Sequence, residues 1–224
     1  MNEVSQEDVH CLIFDFDGLV LDTETPDMVS WQEEFSAAGV ALDLDRWMEC
    51  IGSTVWFDLY DELEKATGNP VDRSAVRSRR QQRYRRLLAA EELRPGVQQY
   101  LDDAEEMGMR LGIASSSTRD WVQHHLSALG IAERFHVIRG RDDVGGVAKP
   151  APDVYLKVVE DLGVSARQTV ALEDSPNGVR AAKAAGIRCA YVPNGMTLSL
   201  PSDDADWVLE SLAAVPLQDL LARP

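Results

Sequence analysis

His10-Cys-Leu-Ile-Phe14, followed at once by Asp15-Phe-Asp17-Gly18-Leu-Val-Leu-Asp22-Thr23-Glu24, is the stretch whose reading decides the fold. The short apolar run reads as a strand buried on both faces, as in a parallel sheet. Two carboxylates two residues apart then fall at the strand's C-terminal end, where open α/β sheets place their ligands. Gly18 lets the chain turn sharply there.

Working outward, similar runs recur at Arg110–Ala114, Phe135–Arg139, Thr169–Leu172 and Arg188–Val192. Between them Pro95–Met107, Thr118–Leu129, Pro152–Leu162 and Pro176–Ala185 carry apolar residues at helical spacing. Gly108, Gly130, Gly163 and Gly186 follow these helices as C-caps. The alternation predicts a doubly wound, Rossmann-like α/β fold with a parallel sheet and right-handed crossovers.

Residues 22–94 break the alternation. They read as helices near Met28–Ala38, Asp43–Cys50, Thr54–Ala66 and Arg73–Ala90, without a strand. An insert of about 70 residues is too long for a loop. The expected division is an α/β core of residues 1–21 plus 95–224 and an inserted helical module of residues 22–94.

The 224 residues carry 22 Lys+Arg against 38 Asp+Glu, a formal net charge of −16. That balance argues against sequence-independent nucleic-acid binding and against docking on anionic membranes. No apolar run reaches the roughly 18 residues of a membrane span, and Met1–His10 lacks the apolar core of a signal peptide. Cys11, Cys50 and Cys189 form neither a disulfide framework nor a zinc pattern, so a reducing cytoplasm is expected.

Three further polar groups follow strands or loops. Ser115-Ser116-Ser117-Thr118 opens a helix, where hydroxyls and backbone N–H groups receive anions, and Ser117 or Thr118 also suits an N-cap. Lys149 is one of only four lysines, in the loop Gly145-Gly-Val-Ala-Lys149-Pro150. Glu173-Asp174-Ser175-Pro176 places two more acids at a strand end, with Ser175 as N-cap and Pro176 at the first helical position. Close carboxylates repel unless a cation or a shared proton relieves them, which points to Mg²⁺ with substrate phosphate. Asp15, Asp17, Asp22, Glu173 and Asp174 are all expected to gather at that cation.

Together these motifs resemble the haloacid-dehalogenase-like hydrolase superfamily. DFDGLVLDTE is similar to its first motif, Ser115 in IASSS to its second, Lys149 in VAKPAPDVY to its third, and ALEDSPNGVRAAKAAG to its fourth. The helical insert resembles the cap of the subgroup that holds phosphoglycolate phosphatases, sugar-phosphate phosphatases and beta-phosphoglucomutase. The resemblance implies Asp15 as nucleophile, forming an aspartyl-phosphate, and Asp17 as acid and then base. It implies Mg²⁺ held by Asp15, the Asp17 backbone carbonyl, Glu173 and Asp174. It implies Ser115, Ser116 and Lys149 on the phosphoryl oxygens, and Thr23 bracing the loop. The second acid, Asp17, favours phosphoryl transfer over carbon–halogen cleavage.

The implied partner is a small phosphorylated metabolite, by family weight a sugar phosphate, for a monomer or small homo-oligomer. Ile51-Gly52-Ser53-Thr54 resembles the cap's substrate loop. Trp31, Trp47, Trp56, Phe57 and Tyr60 suit the cap's core, and Arg79, Arg83 and Arg86 share a helical stripe suited to a solvated face or to drawing in anions. A phosphosugar mutase of the beta-phosphoglucomutase kind is the alternative activity. That branch has a His twelve residues past the nucleophile and an Arg in the cap loop; here stand Asp27 and, approximately, Val55. A non-enzymatic phosphate sensor of the receiver type would have no such insert.

Overall fold

The computed structural model describes residues 9–48, 58–201 and 204–223. Six strands form one parallel sheet in the order β3-β2-β1-β4-β5-β6. They are β1 (Cys11–Phe14), β2 (Arg110–Ala114), β3 (Val137–Arg139), β4 (Thr169–Glu173), β5 (Arg188–Tyr191) and β6 (Trp207–Val208). The helices are α1 (Glu24–Ala37), α2 (Leu44–Met48), α3 (Leu59–Thr67), α4 (Arg73–Leu88), α5 (Val97–Glu106), α6 (Arg119–Ala128), α7 (Asp153–Leu162), α8 (Pro176–Ala184) and α9 (Leu217–Leu221).

Strand β1 is central because it is apolar on both faces. Leu12 and Phe14 enter one hydrophobic cluster, with Tyr100 and Leu101 of α5 and Val122 and Leu126 of α6. Cys11 and Ile13 enter the other, with Val154 and Val158 of α7 and Val179 and Ala182 of α8. All four β1 residues are fully buried, and burial of each large side chain contributes about 1.5–3 kcal/mol. Cys11 and Cys189 are buried free thiols. Cys11 pairs in register with Arg110 on β2 and with Thr169 on β4. The chain winds one way from β1 to β3, then crosses to β4 on the other side. The crevice beside β1 is therefore the topological switch point where such sheets bind ligands.

Helices α1 to α4 lie between β1 and β2 in sequence, as expected. Leu21 bridges Leu93, and the Arg94 N–H donates to Val20 O (3.0 Å), so the chain leaves and rejoins the sheet side by side. Trp31, Phe35, Trp47, Leu59, Leu63 and Val76 form a third cluster, packed with Tyr60 and joined by Met196 from beyond β5. These aromatics are core, as their helical spacing suggests. Trp56 and Phe57 lie outside the described residues.

The structure shifts several boundaries. Helix α1 starts four residues earlier than Met28, because the Asp22 side chain accepts from the N–H (2.9 Å) and hydroxyl (2.8 Å) of Thr25 and organises the first turn. Helix α3 starts at Leu59, where the Asp58 carboxylate caps it by accepting from the Tyr60 and Asp61 N–H groups; the expected start at Thr54 lies outside the described residues. The Arg79, Arg83 and Arg86 stripe is a partly solvated face, with the Arg79 side chain 57% exposed and Arg86 exposed, but Arg79 and Arg83 are paired with acids rather than free to draw in anions. Both reach Glu34 of α1, which is 4% exposed, and the Arg79 Nη2 to Glu34 Oε2 distance is 2.7 Å. Among the described residues no helix is long and apolar enough to cross a membrane.

Candidate active site

The main chain delivers the acids. The Asp15 N–H donates to Leu172 O (2.9 Å), which extends the β1–β4 ladder to the sheet edge. The chain then turns tightly, with Gly18 N–H to Leu21 O at 2.7 Å and Val20 N–H to Phe16 O at 3.0 Å. Gly18 sits at φ 85°, and a Cβ there would fall 2.1 Å from Asp174 Oδ2. Only glycine fits both the left-handed backbone and the close approach of the second acid. Glu173 ends β4, Asp174 follows it, and Ser115 follows β2 with its N–H on Arg139 O (3.0 Å).

Lys149 is 3% exposed, so the loop lysine is an interior group. Its Nζ donates to Asp15 Oδ1 and to Glu173 Oε1 (2.6 Å) and lies 5.2 Å from the Tyr155 ring centroid. Tyr155 OH donates to the same Glu173 oxygen. Burial opposes the ammonium charge, but Asp15 and Glu173 outweigh it and hold Lys149 above its usual range. Burial pushes Asp15 up to about 8. Lys149 pulls it back, and Glu173 and Asp17 add repulsion. Burial, Asp15 and Glu173 also hold Asp174 well above the carboxylate range.

These three acids are short of positive charge. One oxygen from each of Asp15, Glu173 and Asp174 lies within 4.8 Å of the others. Glu173 Oε2 is buried without a hydrogen-bond partner. One ammonium serves three buried carboxylates, and such an all-oxygen set fits a hard divalent cation.

Asp17 is half-buried and its side chain turns away from that group. Oδ1 accepts from Thr23 Oγ1 (3.0 Å) and from the Trp121 indole N–H (3.1 Å); Oδ2 accepts from Ser115 Oγ (3.1 Å). Thr23 braces the loop, as expected. Ser115 Oγ also accepts from the Ser117 N–H (2.9 Å), and Ser116 Oγ accepts from the Lys149 N–H (3.2 Å), which fixes the two loops together. Thr118 caps α6 and Ser175 caps α8, with Pro176 opening it.

Some expected members are elsewhere. Asp22 is not at the cluster; it is occupied with Thr25 at the start of α1. Gly52, Ser53, Thr54 and Val55 lie outside the described residues. Other members had not been singled out. Asn194 donates to Asp174 Oδ2 (2.6 Å) and to Gly18 O (3.3 Å), while its Oδ1 accepts from the Met196 and Thr197 N–H groups. The Pro193-Asn194-Gly195 turn after β5 was its available signal. Burial and the neighbouring Asp17, Asp27 and Asp22 push Glu24, at the start of α1, up to about 8.

Gly178 gives this site a stability test. A Cβ there would lie 1.8 Å from Glu173 Oε2 and 2.0 Å from its Cδ. Glu173 is fully buried and tied to Lys149, so it has nowhere to yield. Gly178→Ala is expected to destabilise the fold by about 1–3 kcal/mol, although alanine is the better helix former. Urea denaturation checks this; an unchanged or raised midpoint would mean that Glu173 is free to move.

The haloacid dehalogenase-like hydrolase family matches residues 12–192, which contain every one of these groups except Asn194 and its turn. The chain belongs to that family. Among haloacid dehalogenase-like hydrolases it is 42% identical to the Bacillus subtilis (strain 168) protein YhcW over 213 residues, covering 95% of this chain and 96% of YhcW. It is 28% identical to validoxylamine A 7'-phosphate phosphatase of Streptomyces hygroscopicus subsp. limoneus, covering 91% and 94% of the two chains. The crystal structure of a mutant CbbY from Rhodobacter sphaeroides in complex with xylulose-(1,5)bisphosphate is similar at 30% identity and TM-score 0.72, covering 92% of this chain and 95% of that one.

Proposed function

We propose that this haloacid dehalogenase-like hydrolase is a Mg²⁺-dependent phosphatase that hydrolyses a small phosphomonoester, a sugar phosphate, through an aspartyl-phosphate on Asp15. The observation that carries this reading is the buried lysine set between Asp15 and Glu173, with Asp174 alongside. The phosphatase among its relatives and the bisphosphate bound to CbbY support the substrate class.

In this reading Asp15 attacks phosphorus in line, and the ester oxygen leaves with its bonding pair. Asp17 gives that oxygen a proton, then removes one from the water that cleaves the aspartyl-phosphate. Lys149 and the Ser115 and Ser116 loop hold the phosphoryl oxygens. Asp15, Asp174, the Asp17 carbonyl and Glu173, directly or through water, hold the metal. When bound, Mg²⁺ supplies positive charge that offsets repulsion between carboxylate and phosphate dianion. Asn194 keeps Asp174 aimed at the cluster. Residues 22–94 act as a cap over the core of residues 1–21 plus 95–224.

The mutase alternative is disfavoured at the position that can be compared. Asp27 is an acid bound to Arg80 of α4, where that branch has a histidine. Excess EDTA is expected to abolish hydrolysis of p-nitrophenyl phosphate, and excess Mg²⁺ to restore it. Full turnover after exhaustive chelation would rule out the metal. A screen of metabolite phosphates by phosphate release identifies the leaving group, and robust turnover of beta-glucose 1-phosphate with a bisphosphate activator would favour the mutase.

A further inference from the structure

We propose that Trp121 is a positioning residue for Asp17, with Tyr84 of α4 holding its ring in place. This rests on the reading of Asp17 as the proton donor to the leaving group. Three side chains fix the Asp17 carboxylate, and two of them are hydroxyls that can either donate or accept. The third, the Trp121 indole, can only donate, and its N–H lies 3.1 Å from Oδ1. A donor-only group on Oδ1 holds the carboxylate in one orientation and favours Oδ2 as the oxygen that passes the proton, because the Ser115 hydroxyl there can turn either way.

Trp121 is not simply filling the core. It is half-buried and lines a cavity of about 630 Å³ together with Leu21, Arg80, Tyr84 and His125. Its ring is held from two sides. Tyr84 stacks on it at 6.2 Å between centroids and 14° between planes, and His125 meets it edge-on at 4.2 Å. Tyr84 lies one turn beyond Arg80, which binds Asp27 of α1. Helix α4 thereby touches the acid's support directly, so the placement of the helical insert bears on the orientation of Asp17.

The test is leaving-group dependence, because a proton donor matters most when the departing oxygen is basic. Phenyl phosphate and p-nitrophenyl phosphate have the same shape near phosphorus, and phenoxide is the more basic leaving group. Trp121→Phe keeps the ring and deletes the donor. Its kcat/KM is expected to fall about tenfold with phenyl phosphate and several-fold less with p-nitrophenyl phosphate. The thermal midpoint and competition by inorganic phosphate should stay at the parent's values. Tyr84→Leu leaves the indole N–H in place and is expected to change the same ratio in the same direction by a smaller amount; it also carries the test if Trp121→Phe fails to fold. Equal losses on both esters, or no loss, in these variants would overturn the proposal. Asp17→Asn separates the two readings, since phenyl phosphate turnover surviving in that variant overturns Asp17 as the acid, whatever Trp121 does.

Discussion

Asp15→Asn is expected to abolish hydrolysis of p-nitrophenyl phosphate, lowering kcat by about a thousandfold or more, while leaving the fold intact. The amide is nearly the shape of the carboxylate but lacks the anionic oxygen that attacks phosphorus in the proposed mechanism. Lys149 keeps its bond to Glu173 Oε1, so the lysine is not orphaned. The same substitution removes a charge that the fold holds at a cost. Burial, Glu173 and Asp17 push Asp15 up to about 8 in spite of Lys149. In the unfolded chain the group ionises near 4. The folded parent therefore binds more protons than the unfolded chain between about pH 4 and pH 8, and its stability falls as pH rises through that window. Asn does not titrate. In EDTA, the thermal midpoint of Asp15→Asn should thus match the parent near pH 4 and exceed it increasingly toward pH 8. Turnover above about 1% of the parent's would sink the covalent mechanism, and a midpoint gap that closes with rising pH would show that Asp15 is not held in that unfavourable state.

The strands were legible because parallel strands are buried on both faces and read as continuous apolar runs. Cys11–Phe14 and Arg110–Ala114 are of this kind; the second matches its expected range, and the first starts one residue after His10. Strand β6 was missed because Trp207–Val208 is two residues long and offers no period to detect. Strand β3 came out shorter than Phe135–Arg139, since Phe135 packs into the core from the turn before the strand.

The acid cluster was legible where carboxylates fall at strand ends, as with Asp15, Glu173 and Asp174, and so was the meeting of Asp17 with Ser115 across two such ends. The site was illegible where a residue matters through its reach in space. Trp121 sits inside an ordinary amphipathic helix, and Tyr155 occupies a core position of α7 whose hydroxyl happens to meet Glu173. Asp22 shows the opposite failure, because an acid near others in sequence was expected at the cation and instead organises the first turn of α1. The arginine stripe was legible as a helix face, but the partners of Arg79 and Arg83 were not, for a related reason. Their partners lie some 45 to 50 residues earlier on α1, at Glu33 and Glu34, and no local pattern reports such a pairing.

Lys149→Met should damage both stability and turnover, because Lys149 is the cation that lets the described acids coexist in the interior. Methionine keeps much of the stem's volume and deletes the ammonium. Asp15 and Glu173 then face each other with Asp174 beside them, and no compensating side-chain charge is in contact. Removing one partner of a buried ion pair costs about 3–5 kcal/mol, and that range is expected here in metal-free buffer near pH 8. The loss should shrink as pH falls. Without Lys149 to pull it down, Asp15 rises further and accepts a proton at lower cost than it bears a charge. A variant whose carboxyl is raised in the fold regains stability below that raised value. The midpoint gap between parent and variant should therefore be several-fold smaller at pH 5 than at pH 8. Added Mg²⁺ should recover part of the stability, since it supplies charge to the same carboxylates. It should not recover turnover, which in the proposed mechanism also needs the Lys149 ammonium on the phosphoryl oxygens. Lys149→Arg is not expected to rescue either property, because a planar guanidinium does not fit where a compact ammonium bridges two carboxylates beneath the Tyr155 ring. A gap of the same size at pH 5 and pH 8 would mean that Lys149 supports the loop by packing alone, and that its charge is not what holds Asp15, Glu173 and Asp174 together.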